Sequence, residues 1–359
     1  MNDQLTEVYA SIDALIDYAL AHLDLDPRNA DWTRNQIFAL FRLDSYPGPK
    51  TTTSAASVSD VVQDIVGSRS QAPYGEKTPD PLLAAFRAAA TTAGLFKPEE
   101  GPAYADTIMG ILSANPADLD DRFLLIEHRD GGMAAMQWFY DYCVANNYVK
   151  RAQLDRNPRF DSHGLTVTIN LAKPEFKNMK KAAAGNAVSG GYPKCTICHE
   201  NEGFAGRDKR TLRTLPVTLG GESWFWQFSP YGYFDQHGIC VNTDHTPMHV
   251  DRDTFGHLLD FVDRFPGYFL GCNAALPRIG GSVLAHDHYQ GGGELLPMHK
   301  AATWAAFTLA DYPDAVVEIL DWPGTAVRVV SKNRQSIIDV SDIIREAWVG
   351  DRKSTRLNS

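Results

Sequence analysis

The sequence predicts an α+β fold with three parts: a helical N-terminal layer, a mostly antiparallel sheet, and the start of a second, similar sheet-and-helix unit. The apolar residues of the first 150 positions recur at helical spacing. In residues 165–171 apolar and polar residues instead alternate strictly, which is typical of a half-buried strand. After Pro297 short strands and helices recur in outline, although no stretch of sequence repeats.

The helical layer is predicted from apolar periodicity. In residues 4–22, for example, Leu5, Val8 and Ile12 fall on one side of a helix. The predicted helices of this layer are 4–22, 31–43, 57–66, 79–95 and 132–147. The stretches between them that are rich in Pro, Ser and Thr are predicted to be loops.

Short strands are predicted in the second half of the chain, where β-branched and aromatic residues are bounded by Gly and Pro. A helix is predicted from the Asp253-Thr254 cap to Phe265, where Pro266 ends it. The predicted strands of the first sheet are 165–171, 213–219, 223–228, 238–242, 267–272 and 282–290. The second unit is predicted to contain a helix near 301–310, strands at 315–320 and 325–331, and a helix at 334–348.

The composition is that of an ordinary globular protein, since 44% of the 359 residues are apolar and 22% are charged. A formal net charge of −10 argues against broad binding to nucleic acids or anionic membranes, which carry the same sign. No run of about eighteen apolar residues occurs, and the acidic N-terminus is not typical of a signal peptide. Five cysteines without a secretory signal predict a reducing compartment, and hence a cytoplasmic protein.

The stretch GGSVLAHDHYQGGG, residues 280–293, is the strongest candidate for a catalytic site. On a strand, alternate side chains share a face, so His286, His288 and Gln290 would point the same way. A neutral imidazole is nucleophilic near pH 7, and an amide can donate to a phosphoryl oxygen without adding charge. Flanking glycines let backbone N–H groups approach an anion. The alternatives are a metal site and a chance pair of histidines on a solvated strand.

Cys195 and Cys198 form a C-x-x-C pair that is a candidate metal knuckle. Two thiolates at this spacing can both reach one tetrahedral ion. A redox function is the alternative, but the pair lies outside a thioredoxin-like strand–helix pattern. Candidates for the two remaining ligands are His199, His237, Cys240, His245, His249, His286 and His299. Of these, His199 and His249 are expected to be solvent-exposed, and Cys240 is expected to be a core residue.

Several long stretches carry a more specific signal: YPKCTICHENEGFAGR, LGGESWFWQFSPYGYFDQHGICVNTDHTPMHV, FVDRFPGYFLGCNAALPRIGGSVLAHDHYQGG and LTVTINLAKPE. They resemble the class II galactose-1-phosphate uridylyltransferases, which belong to the histidine-triad superfamily. The resemblance runs from the first helix to about Gly350. It implies that the mostly antiparallel sheet is histidine-triad-like.

The resemblance also implies an activity, that of a nucleotidyltransferase in Leloir galactose metabolism. Such an enzyme exchanges a uridylyl group between UDP-glucose and galactose 1-phosphate by a ping-pong mechanism. The covalent intermediate would be uridylyl-His288, and Gln290 would hydrogen-bond the transferred phosphoryl group. The implied assembly is a homodimer in the cytoplasm.

Further site residues follow from the resemblance. Asn273 and Ser282 match positions that contact phosphate, and Gly281 is expected to bind substrate beside them. The cationic candidates for the diphosphate charge are Arg207, Arg213, Arg278 and Lys173. Transferring the structural zinc pattern of the class I enzymes implies a zinc ion held by Cys195, Cys198, His245 and His286.

The resemblance divides the chain into a mostly helical region (1–160), a histidine-triad-like catalytic region (161–298) and the start of a C-terminal transferase unit (299–350). Residues 351–359 match nothing in the family, so they are predicted to be a non-native tail on a truncated chain. Two alternatives stay open. One is another histidine-triad nucleotide hydrolase or phosphorylase that uses His288 with water or phosphate. The other is an inactive, zinc-stabilised fragment.

Overall fold

The computed structural model describes residues 3–48, 78–171, 191–276 and 283–357. Within these ranges there are nine α-helices and three antiparallel sheets, and the helices come first, so the predicted α+β class is confirmed. The predicted helix at 57–66 lies outside the described residues. Among the described helices, none combines the length and the hydropathy that crossing a bilayer requires.

Seven of the described helices form the N-terminal layer. They are α1 (Asp3–His22), α2 (Ala30–Phe41), α3 (Asp80–Thr92), α4 (Gly101–Leu112), α5 (Pro116–Asp130), α6 (Gly132–Ala145) and the short α7 (Arg151–Leu154). Periodicity predicts α1, α2, α3 and α6 to within a few residues and misses α4, α5 and the short α7. Of the missed helices, α4 and α5 carry a proline in their first turn, where the absence of its N–H is harmless.

Apolar side chains from several helices meet in the core of this layer. Ile12 of α1, Phe86 of α3 and Ile108 of α4 are completely buried there. Each such side chain contributes roughly 1.5–3 kcal/mol when it is removed from water. The Tyr18 hydroxyl also donates to the Ala145 carbonyl at 2.9 Å, which connects the first helix to the last turn of α6.

A hairpin and a five-stranded sheet follow the helices. The hairpin pairs β1 (Arg159–Ser162) with β2 (Leu165–Thr168). The sheet contains β3 (Leu215–Leu219), β4 (Glu222–Phe228), β5 (Gly238–Asn242), β6 (Phe269–Gly271) and β7 (His288–Gly292). The spatial order is β3-β4-β5-β7-β6, and every neighbouring pair is antiparallel, as predicted.

One face of the five-stranded sheet packs against α6 and against α8 (Arg252–Arg264). The ring centroids of Trp226 and Phe261 lie 5.1 Å apart across this interface. Within the sheet, Trp224 stacks on Tyr289 at 4.7 Å. Aromatic side chains bury large apolar areas, so this face is the main core of the sheet. The candidate site lies on the opposite face of the sheet.

The predicted strand at 282–290 is wrong in its bounds, because β7 begins only at His288. His286 lies in the turn that precedes the strand. Gly291 and Gly292, near the end of the motif, belong to the strand itself. The backbone of β6 approaches so closely that a Cβ on Gly291 would lie 2.2 Å from the carbonyl oxygen of Phe269. A side chain cannot be accommodated at that position, so glycine is required inside the strand.

A three-stranded sheet and a final helix form the last part of the described chain. The sheet contains β8 (Thr303–Leu309), β9 (Tyr312–Leu320) and β10 (Val327–Val330) in the order β10-β9-β8, followed by α9 (Arg334–Leu357). The predicted helix near 301–310 is therefore wrong. That segment pairs with β9 through a two-residue turn, and the spacing of a short apolar run cannot distinguish a strand from a helix. Val340 of α9 packs on Ala315 and Val317 of β9.

Candidate active site and metal centre

The register of the central strands defines the face that carries the candidate site. Val241 of β5 lies opposite His288 of β7, and Ile239 lies opposite Gln290. Directly opposed residues in a sheet point to the same side, as do residues two apart on one strand. His237, just before β5, therefore lies on the same side as His288 and Gln290. Strand alternation predicts that His286 lies on this face too, but His286 precedes the strand.

His288 is held in a single orientation. Its side chain is only 3% exposed, and its Nδ1 lies 2.8 Å from the carbonyl oxygen of His286. A carbonyl can only accept, so Nδ1 carries the proton and Nε2 presents a lone pair. No group in the described part of the chain hydrogen-bonds to Nε2. Burial lowers the pKa of His288, which favours the neutral imidazole that a nucleophile requires.

Gln290 lies one position further along the same face and is half-buried. Its Oε1 atom is 3.3 Å from Nε2 of His237. Sequence reasoning considered His237 only as a possible metal ligand. The structure instead pairs it with the amide beside the candidate nucleophile.

Asn273 is a substrate-binding candidate that lies just beyond the end of β6. Gly271, the last residue of β6, lies opposite Gln290, and Asn273 follows two residues later. The Nδ2 atom of Asn273 is buried and has no hydrogen-bond partner among the described residues. A buried donor without a partner is costly, so it is a ready donor for a bound ligand.

The other substrate-binding candidates are not placed at His288. Ser282 and Gly281 lie outside the described residues. Arg207 donates to the carbonyl of Pro193 at 3.5 Å, and its positive charge helps to lower the pKa of the nearby Cys195 thiol. No described contact joins Arg207 to His288, so its role as a diphosphate ligand stays a prediction.

All four predicted metal ligands come together, with their ligand atoms within 4.8 Å of one another. The Sγ atom of Cys195 is 3.3 Å from both Cys198 Sγ and His286 Nδ1, and Cys198 Sγ is 3.1 Å from His245 Nδ1. Metal–ligand bonds of about 2.0–2.3 Å place the ligand atoms of a tetrahedral zinc site roughly 3.3–3.8 Å apart. The cluster is within about an ångström of that geometry. Its two thiols and two imidazoles are also the donors that zinc prefers.

The protonation of the two thiols suits metal binding. A hydrogen bond from Cys198 lowers the pKa of the Cys195 thiol to about 7. The same pairing raises the pKa of Cys198 to about 11. The first thiol is therefore easily ionised beside a protonated second one. A metal ion binds such a pair by displacing the remaining proton.

Two asparagines hold the metal cluster in shape, and sequence reasoning missed both. The carbonyl oxygen of Asn242 accepts from His286 Nε2 at 2.7 Å, which leaves Nδ1 to face the cysteines. The buried Asn201 donates from Nδ2 to the carbonyl oxygens of Cys195 and Cys198, both at 2.8 Å. The only sequence signal was an asparagine three residues after the second cysteine.

Replacing Asn201 should loosen the cluster. We expect Asn201→Ala to cost about 1–3 kcal/mol of stability, because it leaves two buried carbonyls without their donor, and to weaken metal retention against a competing chelator. Asn146→Ala is a matched control, since Asn146 is equally buried and donates to the Thr211 carbonyl at 2.8 Å, outside the cluster. Equal chelator sensitivity in the two variants would show that Asn201 only stabilises the fold.

The remaining candidate ligands lie elsewhere. The side chains of His199 and His249 are about half exposed, as predicted, and His249 Nδ1 lies 3.6 Å from a carboxylate oxygen of Asp287. Cys240 is a buried core residue of β5, also as predicted. The ring of His299 packs against Phe269. None of these side chains joins the four-residue cluster.

The fold and site define a class of α+β proteins in which a sheet carries a buried histidine beside a Cys₂His₂ cluster. The profile of the family described as galactose-1-phosphate uridyl transferase, N-terminal domain, matches residues 68–247. The chain belongs to this family of nucleotidyltransferases.

Individual relatives agree with this family. The chain is 99% identical over 350 residues to the galactose-1-phosphate uridylyltransferase of Bifidobacterium longum subsp. longum, covering 98% of this chain and 68% of the relative. It is 38% identical to the protein of the same name from Streptococcus mutans, covering 70% and 52%. The protein from Halalkalibacterium halodurans is 32% identical, covering 96% and 66%. The chain thus spans about half to two thirds of the length of these relatives. No solved structure gave a significant match.

Proposed function

We propose that this chain carries the uridylyl-transfer site of a galactose-1-phosphate uridylyltransferase, which exchanges UMP between UDP-glucose and galactose 1-phosphate. The observation that carries the proposal is the geometry of His288, whose Nδ1 is held by the His286 carbonyl while no described residue hydrogen-bonds to Nε2. Family membership and the names of the relatives support the substrates.

The proposed reaction has two half-reactions. In the first, Nε2 of His288 attacks the α-phosphorus of UDP-glucose. An N–P bond forms, the bond to the bridging oxygen breaks, and glucose 1-phosphate leaves. In the second, a phosphate oxygen of galactose 1-phosphate attacks the same phosphorus, the N–P bond breaks, and UDP-galactose leaves. One nucleophile that serves two acceptors in turn gives ping-pong kinetics.

Neutral donors are proposed to stabilise the transferred group. The amide of Gln290 lies on the same sheet face as His288, and Asn273, two residues beyond β6, has a buried Nδ2 without a hydrogen-bond partner among the described residues. Phosphoryl-type transfer depends mainly on positioning and on stabilising charge over the equatorial oxygens. Buried donors that are already oriented can do this without reorganising during the reaction.

We propose that Cys195, Cys198, His245 and His286 hold a structural zinc ion. Four protein ligands leave no open position for substrate, so the ion would hold the knuckle against the turn before β7. The backbone of His286 then serves a second purpose, because its carbonyl orients the nucleophile. A cytoplasmic homodimer completes the proposal on the strength of the resemblance alone, and light scattering would test the dimer.

The test is a product assay with UDP-glucose, with and without galactose 1-phosphate. We expect glucose 1-phosphate in a single burst without the acceptor, and UDP-galactose with it. The longer Bifidobacterium relative is the positive control. Continuous release of UMP in water, or of UDP with inorganic phosphate, would indicate a hydrolase or a phosphorylase instead. No product and no burst would indicate an inactive fragment.

A further inference from the structure

His237 lies at the point where the β4–β5 loop enters β5, and its side chain is only 6% exposed. Its Nε2 atom lies 3.3 Å from Oε1 of Gln290. The strand register places both side chains on the face that carries His288. Thus the amide beside the proposed nucleophile has a protein partner of its own.

The loop fixes the position of the His237 ring. The ring centroid lies 4.5 Å from that of Phe234 and 5.6 Å from that of Tyr233. The loop can fold back this tightly because residue 232 is glycine. A Cβ on Gly232 would lie 2.8 Å from Cβ of His237. Ring packing and close backbone approach therefore hold the imidazole in place before any ligand binds.

This contact determines which end of the Gln290 amide faces a ligand. The oxygen of an amide only accepts, so His237 Nε2 donates to it. The oxygen and the nitrogen lie on opposite sides of the amide carbon, so a held oxygen leaves the NH₂ group to point away from His237. An amide without this partner could rotate and present its oxygen to the phosphoryl oxygens, where two acceptors would repel each other.

We propose that His237 is a positioning residue for uridylyl transfer, which holds Gln290 so that its NH₂ group faces the phosphoryl group. The inference rests on the proposed function, in which Gln290 contacts the transferred group. His237 itself does not touch the reacting atoms. Its contribution is to pre-orient a donor, which would otherwise have to be oriented at the moment of reaction.

The first experiment measures how fast UDP-glucose alone converts each protein to the uridylyl adduct, by quenched-flow intact mass spectrometry. His237→Phe keeps a ring for Phe234 to pack on but cannot donate. We expect the rate at saturating UDP-glucose to fall roughly tenfold, with less than about a threefold change in the half-saturating concentration. His237→Gln carries a donor and should recover part of the rate. Thermal melting of both variants checks that they are folded.

A double-mutant cycle then tests whether His237 acts through Gln290. Gln290→Ala alone should slow adduct formation, and adding His237→Phe to it should slow the reaction no further. Phe234→Leu is the control for loop packing, because leucine still packs an apolar side chain against the imidazole and leaves both hydrogen-bonding groups in place. We expect its effect on the rate to stay under about threefold.

The possible failures are distinguishable. A folded parent protein that forms no adduct would overturn both the proposed function and this inference. An adduct in the parent protein together with a normal rate in His237→Phe would overturn only the inference. It would also be overturned by additive effects in the cycle, by no recovery in His237→Gln, or by an equal loss of rate in Phe234→Leu.

Discussion

His288→Asn should abolish formation of the uridylyl adduct and leave the fold intact. An amide nitrogen is not nucleophilic, so no N–P bond can form, and transfer should fall by roughly three orders of magnitude or more. The asparagine amide can still donate to the His286 carbonyl that now accepts from Nδ1 of His288. His288 is buried, and the substitution roughly conserves size and polarity. Intact mass after exposure to UDP-glucose measures the adduct directly.

The matched variant is His286→Asn, two residues away. It removes a proposed metal ligand and leaves the proposed nucleophile in place. We expect it to lose metal and melting temperature while the protein that remains folded still forms some adduct. His288→Asn should show the reverse, with normal metal content and melting. An adduct on His288→Asn, or its loss in His286→Asn with metal intact, would mean that the two roles are exchanged.

The candidate residues of the site could be identified from the sequence because they belong to short motifs. One motif contains the two histidines and Gln290 within five residues, and the other contains the C-x-x-C pair. Residue type and spacing are enough to identify each motif. Bringing the motifs together required the resemblance. Cys198 and His286 are 88 positions apart, and nothing in their local patterns indicates that their side chains meet.

The orientation of the two histidines could not be predicted from alternation. Alternation assumes that a strand begins before His286, and it then places both imidazoles on one face. In the structure the chain turns at that point, so that His286 points its Nδ1 atom at the knuckle and its carbonyl at His288. Contacts with the Cys₂His₂ cluster and with the nearby backbone stabilise this turn. Those contacts are long-range, and no local propensity encodes them.

The supporting residues were missed for the same reason. Asn201 acts through hydrogen bonds to two backbone carbonyls, and Asn242 acts through its own backbone carbonyl. Such contacts leave almost no sequence pattern. The sequence indicates His237 only as a candidate metal ligand, because its partner Gln290 lies 53 positions away on a neighbouring strand. The helix prediction for residues 301–310 was wrong for a different reason. The short apolar run of this segment fits a helix or a strand, and pairing with β9 decides between them.

Removing both knuckle thiols should release the metal and destabilise the region around β7. Cys195→Ser with Cys198→Ser leaves two imidazoles, and two neutral ligands hold a zinc ion far more weakly than four. Both cysteines are almost fully buried, so the protein also loses the ion that would tie them to His245 and His286. We expect metal content near zero and a melting temperature lower by several degrees. Metal analysis of protein purified without chelator, followed by thermal melting, provides the measurement.

The control is Cys272→Ser, which removes a thiol outside the cluster and should keep the full metal content.

Chelator treatment of the parent protein provides an independent route to the metal-free state. If the ion is structural, stripping it should lower the melting temperature about as much as the double substitution does, and returning zinc should restore only the parent. The adduct rate should fall with it, because His286 would no longer hold its carbonyl against Nδ1 of His288. Unchanged metal content in the double variant would place the ion elsewhere. Full stability after stripping would show that the fold does not depend on it.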